Sequence, residues 1–272
     1  MSEYETDPDD GLPREIVGNW VEDKHALLAY YVDSSRAPRA KIGGEPCFVD
    51  LFCGPSRVRF RNTNIVRDGS AIVAIKAALY PSKGKAAPFS RAYVADLEAA
   101  NVAASVDRIE RVPFPVSGLV DTAEKTAAEI ASALPRRGLH LAFLDPYDLG
   151  TLSFPIIRAF SRVPNVDLVI HFSSGDMKRN LDDPLQAHRF EVAAPGWGAQ
   201  SHLCGPRERR KRFFEYWSKL VIGCGYHLAH RPAKVRNRKR SEMYLLTVAS
   251  KHPLGQRLWD SFRVDPQTEM FA

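Results

Sequence analysis

Four short, almost unbroken apolar runs, spaced apart by helix-like segments, constrain this chain more than any other feature. They are Cys47 to Phe52 (CFVDLF), Arg91 to Ala95, Leu139 to Leu144 and Val166 to Phe172 (VDLVIHF). Runs of this kind mark strands covered on both faces, as in a parallel sheet. Between them the spacing predicts helices over Ala71 to Leu79, with Ser70 as N-cap after Gly69, over Leu97 to Arg108, over the alanine-rich Thr122 to Leu134, and from Ser153 and Pro155 through Phe160. Val112 to Val116 reads as a further strand, confined to a sheet edge because Pro113 and Pro115 have no N–H to donate. Strands alternating with helices imply right-handed βαβ units.

The flanks are read less regularly. Met1 to Asp10 is acidic and polar and is expected to fray, with residues 1–14 outside the domain. Ile16 to Val32 reads as a helix, Ser34 to Pro46 as a loop, Ser56 to Asp68 as a polar stretch, and Pro81 to Pro88 as a mobile surface loop. Ser173 to Pro206 reads as a polar insertion of little periodicity, followed by a helix with Phe213, Phe214, Trp217, Leu220 and Val221 on one face. Strands over Tyr226 to Arg231 and Met243 to Ala249 are joined by a link too short for a parallel crossover, so the final strand runs antiparallel. A helix over Leu254 to Phe262 closes a single domain of residues 15–263, and 264–272 is a tail. The fold class is therefore α/β: a seven-stranded, mostly parallel Rossmann-like sheet, last strand antiparallel, helices on both faces. That arrangement resembles the class I methyltransferase sheet, whose ligands sit at the carboxyl ends of the strands.

Composition narrows the setting. With 272 residues and 44% hydrophobic residues the chain can bury a large core, and no apolar run reaches the ~20 residues of a membrane helix. Cys47, Cys53, Cys204 and Cys224 form no CxxC pair, so reduced thiols in a cytoplasmic protein are expected and no metal site. The net charge of +6 permits an acidic partner. Arg207 to Arg212 and Arg231 to Arg240 are the runs that would meet nucleic-acid phosphates; the alternatives are the wet end of a helix and a solvated hairpin tip.

The strand ends carry the chemistry. Asp50, Phe52 and Gly54 close the first, where a glycine lets backbone approach a ligand and a carboxylate would serve an ammonium, or would simply cap a turn. Asp96, with Glu98 behind it, closes the second, and an acid there accepts ribose hydroxyls or caps the next helix. Asp145-Pro146-Tyr147 closes the fourth. This tripeptide resembles the D/N-P-P-Y signature of amino-methyltransferases: Asp145 and the Pro146 carbonyl would take the N–H groups of a planar amine, and Tyr147 would stack on its ring. Ser173, Ser174, Asp176, Arg179 and Asn180 follow the fifth strand and form either a substrate wall or a capped helix start. A G-x-G-x-x-G fingerprint is absent, which argues against a nicotinamide enzyme.

Taken in order, Asp23-Lys24-His25, FVDLFCGP, Asp68-Gly69-Ser70, FLDPYDLG, FSSGDMKRNL and SKHPLGQRLWD resemble the three-Cys-motif partner (TcmP) family across most of the chain. The resemblance implies a methyltransferase-like fold, S-adenosyl-L-methionine as cofactor, and a three-cysteine, radical-SAM-like protein as partner. Two functions are compatible with it: N-methylation of a planar amine such as a nucleobase, or a non-catalytic partner that docks to the three-cysteine protein. Two positions depart from the family pattern. Ser56 and Asp148 stand where glycine is more usual.

Overall fold

The computed structural model describes residues 3–201, 205–236 and 242–261. Strands β1 (Glu3–Thr6) and β2 (Pro13–Val17) open the chain, followed by α1 (Trp20–Ser34), α2 (Arg36–Ile42) and β3 (Cys47–Asp50). Next come β4 (Arg57–Phe60), β5 (Val66–Asp68), α3 (Ser70–Leu79), β6 (Arg91–Asp96), α4 (Ala99–Glu110), β7 (Val116–Val120) and α5 (Ala123–Ala133). Then β8 (His140–Leu144), α6 (Phe154–Ser161), β9 (Val166–Phe172), α7 (Ser174–Asn180), a 3-10 turn (Pro184–Gln186), α8 (Ala187–Ala193), α9 (Trp197–Ser201) and α10 (Pro206–Gly223) lead to β10 (His227–Leu228), β11 (Ala233–Arg236), β12 (Glu242–Ser250) and α11 (Pro253–Ser261).

The main sheet runs β7-β6-β3-β8-β9-β12-β10. Its first five strands are parallel, and β12 is antiparallel to β9, as the short basic link requires. β11 adds an eighth strand antiparallel to β12, so the position expected for one penultimate strand is split in two. The crossover from β3 leads to β6 on one side, and the crossover from β8, its neighbour on the other side, leads away to β9. This reversal opens a crevice at the carboxyl ends of those strands.

Apolar side chains cover both faces. Phe154, Ile157, Phe213 and Trp217 belong to one core, with α5, α6 and α10; Leu28, Ile75, Ile109 and Trp259 belong to the other, with α1, α3, α4 and α11. In α1 the buried positions are Val21, Lys24, Leu27, Leu28, Tyr31 and Val32, the three- and four-residue spacing of one helical stripe. A lysine occupies that stripe.

Several flank expectations are corrected. The acidic start does not fray: β1 and β2 form a second sheet, β1-β2-β4-β5, with strands drawn from the stretch read as merely polar. Ion pairs explain why. Asp7 is fully buried between Arg14 and Arg57, and Asp10 meets Arg108 through both carboxylate oxygens at 2.8 Å. Ile16 lies in β2, so the first helix starts at Trp20; the expected loop after it holds α2; and the insertion after β9 holds α7, α8 and α9. Residues 202–204, 237–241 and 262–272, which include Cys204, the end of the second basic run, Phe262 and the expected tail, lie outside the described residues. Among the described residues no helix is long and apolar enough to cross a membrane.

Candidate functional site

A cleft of about 500 Å³ opens over the carboxyl ends of β3, β6 and β8 and is roofed by the small sheet. Phe52, Gly54, Asp96, Asp145, Pro146 and Tyr147 all line it, so the ends of three strands meet in one place. Gly54 has φ +51°, the left-handed region that favours glycine, and a side chain there would point into open space near Glu15. Its N–H donates to Asp96 Oδ2 at 3.1 Å, which ties the turn after β3 to the end of β6. The other oxygen of Asp96 accepts from the N–H of Glu98 at 2.9 Å and from the Asn101 side chain at 3.3 Å.

Ser56, at the position where glycine is more usual, also adopts a left-handed φ of +55°. It is held there by Ser105, whose hydroxyl lies 2.5 Å from its own. The carbonyl of Ser56 accepts from the N–H of Gly69 at 2.8 Å. A Cβ on Gly69 would come within 2.6 Å of Ser56 Cα, so this glycine lets the turn lie flat against the start of α3.

Asp145 is the most constrained group in the cleft. Lys24 Nζ donates to its Oδ2, and His171 Nδ1 lies 2.7 Å from its Oδ1. Burial works to raise the carboxyl, but the Lys24 ammonium and the His171 ring outweigh it and hold it well below the usual range. Two lone pairs cannot share 2.7 Å without a proton between them, so neutral His171 carries its proton on Nδ1. Burial, against the pull of Asp145, keeps the His171 ring below its ordinary value, and its face packs edge-on to Tyr244 at 4.1 Å between centroids. His25, beside Lys24, is pushed down to about 3 by burial and by that cation. Tyr147 is 70% exposed at the cleft mouth.

Other expected site residues lie elsewhere. Asp50 is fully buried beneath the turn, accepting from the Ser70 hydroxyl at 2.5 Å and the Phe52 N–H at 3.2 Å, and does not line the cleft. Burial pushes its carboxyl up to about 7. Ser70 therefore holds Asp50 rather than capping α3, whose N-cap is Gly69. Glu98 is exposed and sits at the N-cap of α4, outside the cleft. None of Ser173, Ser174, Asp176, Arg179 and Asn180 lines the cleft. Ser173 caps α7 by accepting from the N–H of Asp176. Buried Asp176 accepts from the Leu149 N–H at 3.0 Å and from Asn180 at 2.6 Å, bracing the loop that follows Asp145. Asp148 caps Thr151 and pairs with Arg189 at 2.5 Å.

Sequence reasoning missed Lys24, His171, Glu15 and Arg108 as parts of the site. Lys24 had a signal, a cation on an apolar helical stripe, and so did His171, a ring in an otherwise apolar strand. Arg108 has only 4% exposure; its guanidinium donates to the carbonyls of Pro13 at 2.7 Å and Pro55 at 2.6 Å as well as to Asp10. One side chain thus fastens the roof to the turn after β3.

No family model matches the chain, and no curated protein matches it. Among solved structures it is similar to Trm1 from Pyrococcus horikoshii, in complex with S-adenosyl-L-methionine, at 12% identity and a TM-score of 0.48 over 88% of this chain and 57% of that one. It is similar to M. jannaschii TYW2 in complex with AdoMet at 11% identity and a TM-score of 0.41, over 92% of this chain and 84% of that one. It is also similar to an rRNA methylase from Streptococcus thermophilus at 9% identity and a TM-score of 0.43, over 87% and 99%. The chain spans a little over half the length of the first of these.

Proposed function

We infer that this chain binds S-adenosyl-L-methionine in the cleft and transfers a methyl group to a planar amine. The observation that carries this reading is the convergence of Gly54, Asp96 and Asp145-Pro146-Tyr147, from three separate strands, on one cleft at the switch point of the sheet. Its volume of about 500 Å³ falls within the range of small-molecule sites. The residues fit the cofactor. Asp96 keeps a lone pair on Oδ2 for a ribose hydroxyl, Gly54 leaves room above the turn, and Glu15 brings a carboxylate to the same wall for an ammonium. Glu15 takes the role that Asp50 is too deeply buried to fill.

Bound there, the cofactor supplies an electrophilic methyl group. The chain's own residues orient the acceptor. Asp145 is held so firmly ionised that it is a poor proton acceptor and a strong hydrogen-bond acceptor; with the Pro146 carbonyl it aims an amine's N–H groups and hence its lone pair. Tyr147 offers an exposed ring for stacking. Two imidazoles that burial keeps neutral, His25 and His171, line the same cleft beside Asp145, and the proton an amine loses passes to solvent at the open cleft mouth. The ordered motifs support placing the chain with the three-Cys-motif partner proteins as part of the same proposal.

Calorimetry with S-adenosylhomocysteine tests the reading. One-to-one binding that weakens at least about tenfold in Asp96→Ala, a loss of about 1.4 kcal/mol, is expected. A folded wild-type protein that binds none overturns it.

A further inference from the structure

The cleft lies beside a basic face, and a chain of contacts connects the two. Tyr147 stands at the cleft mouth, and the next residues, Asp148 and Leu149, lean on α7 and α8 through Asp176 and Arg189. Lys178 and Arg179 are exposed on α7. Arg209, in the first turns of α10, pairs with Asp182 just past α7 at 2.6 Å, which sets the start of α10 beside the end of α7. The register of β12 brings in the second basic run. Leu245 pairs with Phe172 at the carboxyl end of β9, so the residues before it reach past that end, and Arg236 of β11 pairs with Glu242 there. A Cβ on Gly175 would meet the Met243 carbonyl at 2.9 Å, so the first turn of α7 packs on the start of β12.

The alternation along β11 decides which way its cations face. Ala233 and Val235 are buried in the core shared with α1, α3 and α11. Lys234 and Arg236, one residue out of phase, are exposed on the opposite face, the side of α7 and α10. Two basic runs far apart in sequence therefore meet on one surface. Lys178 and Arg179 complement the dipole of α7, but the α10 cations oppose theirs, and Arg210 and Arg236 are exposed without an ion pair among the described residues. Such a basic face complements an anion from outside the chain.

We propose that this face carries the phosphodiester backbone of a single-stranded polynucleotide and delivers one unpaired base past Tyr147 into the cleft. The proposal rests on the methyl-transfer reading and names its acceptor class. A strand whose bases are unpaired is specified because Tyr147 offers its ring at the mouth of a cleft, where only an unstacked base can reach it. A paired base would first have to leave its helix.

The test is fluorescence anisotropy with a labelled 20-nucleotide single-stranded RNA, the matching single-stranded DNA and the RNA duplex, from 50 to 200 mM NaCl. Wild-type binding is expected to weaken with salt, by a log–log slope of about 0.7 for each phosphate neutralised. The triple variant Lys178→Gln/Arg179→Gln/Arg236→Gln should lower the slope by about 2 and affinity at least tenfold. The control Lys83→Gln/Lys85→Gln, in the loop before β6, removes charge elsewhere and should change affinity less than twofold. Single strands of RNA or DNA should bind more tightly than the duplex, and the stronger of the two identifies the source. S-adenosylhomocysteine calorimetry on the triple variant separates the two readings, because unchanged cofactor binding with lost strand binding is the expected pattern. Absence of salt-dependent binding, an equal loss in the control, or preference for the duplex overturns the proposal while leaving the cofactor reading intact.

Discussion

Replacing Lys24 with methionine keeps the length of the side chain and its place on the buried stripe of α1 and removes only the ammonium. Lys24 and Asp145 are 11% and 15% exposed in their side chains, so water screens the pair weakly. Two unit charges about 4 Å apart attract by about 4 kcal/mol at an effective dielectric constant near 20. Deleting one partner of a buried pair costs about 3–5 kcal/mol. Lys24→Met should therefore lose about 3–5 kcal/mol at pH 8. The loss should shrink on acidification, because a second group can answer the orphaned carboxylate. In the wild type, His171 is held below its ordinary value of 6.5 by burial first and by Lys24 as well. The folded protein then binds fewer protons there than the unfolded chain, and this group costs stability as pH falls below 6.5. Burial still lowers the imidazole without Lys24, but the lowering by that cation is gone while the pull of Asp145 remains, so the imidazole moves back up toward 6.5. The variant therefore gives up less stability at this group than the wild type as pH falls below 6.5, and every tenfold difference in proton affinity between the two folded proteins is worth about 1.4 kcal/mol. Urea unfolding of both proteins at pH 8 and pH 5.5, with the imidazole titration followed by NMR, measures this. A deficit that stays constant or grows on acidification, or an imidazole no easier to protonate than in the wild type, refutes the three-group arrangement.

Asp50→Asn should stabilise the protein at pH 8 and not at pH 4. The buried carboxyl is pushed up to about 7, so its ionisation penalty grows as pH rises from 3.8 through 7, and thermal melts against pH should show the two proteins converging in acid. Arg108→Met leaves Asp10, among the described residues, only the longer ion pair with Arg111 at 3.5 Å and frees two carbonyls. It should cost about 3–5 kcal/mol, speed hydrogen exchange over residues 3–17, and weaken S-adenosylhomocysteine binding. Gly69→Ala should cost about 1–3 kcal/mol by pushing on the backbone of Ser56. Gly223→Ala, where a Cβ meets nothing within 4 Å, should melt at or above the wild-type temperature.

The central sheet was legible because its strands are local signals. CFVDLF, VDLVIHF and their neighbours are too apolar and too short to be anything but strands covered on both faces, and the short link before β12 leaves only an antiparallel return. Asp96, Gly54 and Asp145-Pro146-Tyr147 were legible for the same reason, since each stands at a strand's carboxyl end. The roof was not. Its strands are polar, and their stability comes from Arg57, Arg59 and Arg108 meeting Glu5, Asp7 and Asp10 across long stretches of chain, which no local pattern announces. Asp50 misled because a strand-end carboxylate is expected to face a ligand, whereas Ser70 turns it inward. The block after β9 misled because polar residues there brace a loop from behind, and only the fold shows which side of a helix is the back.

The guanidinium of Arg108 sets an order on synthesis. The acidic strands β1 and β2 are made before their anchor, because the cation that satisfies Asp10 stands 98 residues later. At about 5–20 residues per second the wait is about 5–20 s. During that interval Glu5 and Asp7 can already meet Arg14, Arg57 and Arg59, while Asp10 still waits for Arg108. The roof thus stays unfastened until Arg108 is made, and a ribosome stalled before that arginine would hold β2 not yet tied to the turn after β3.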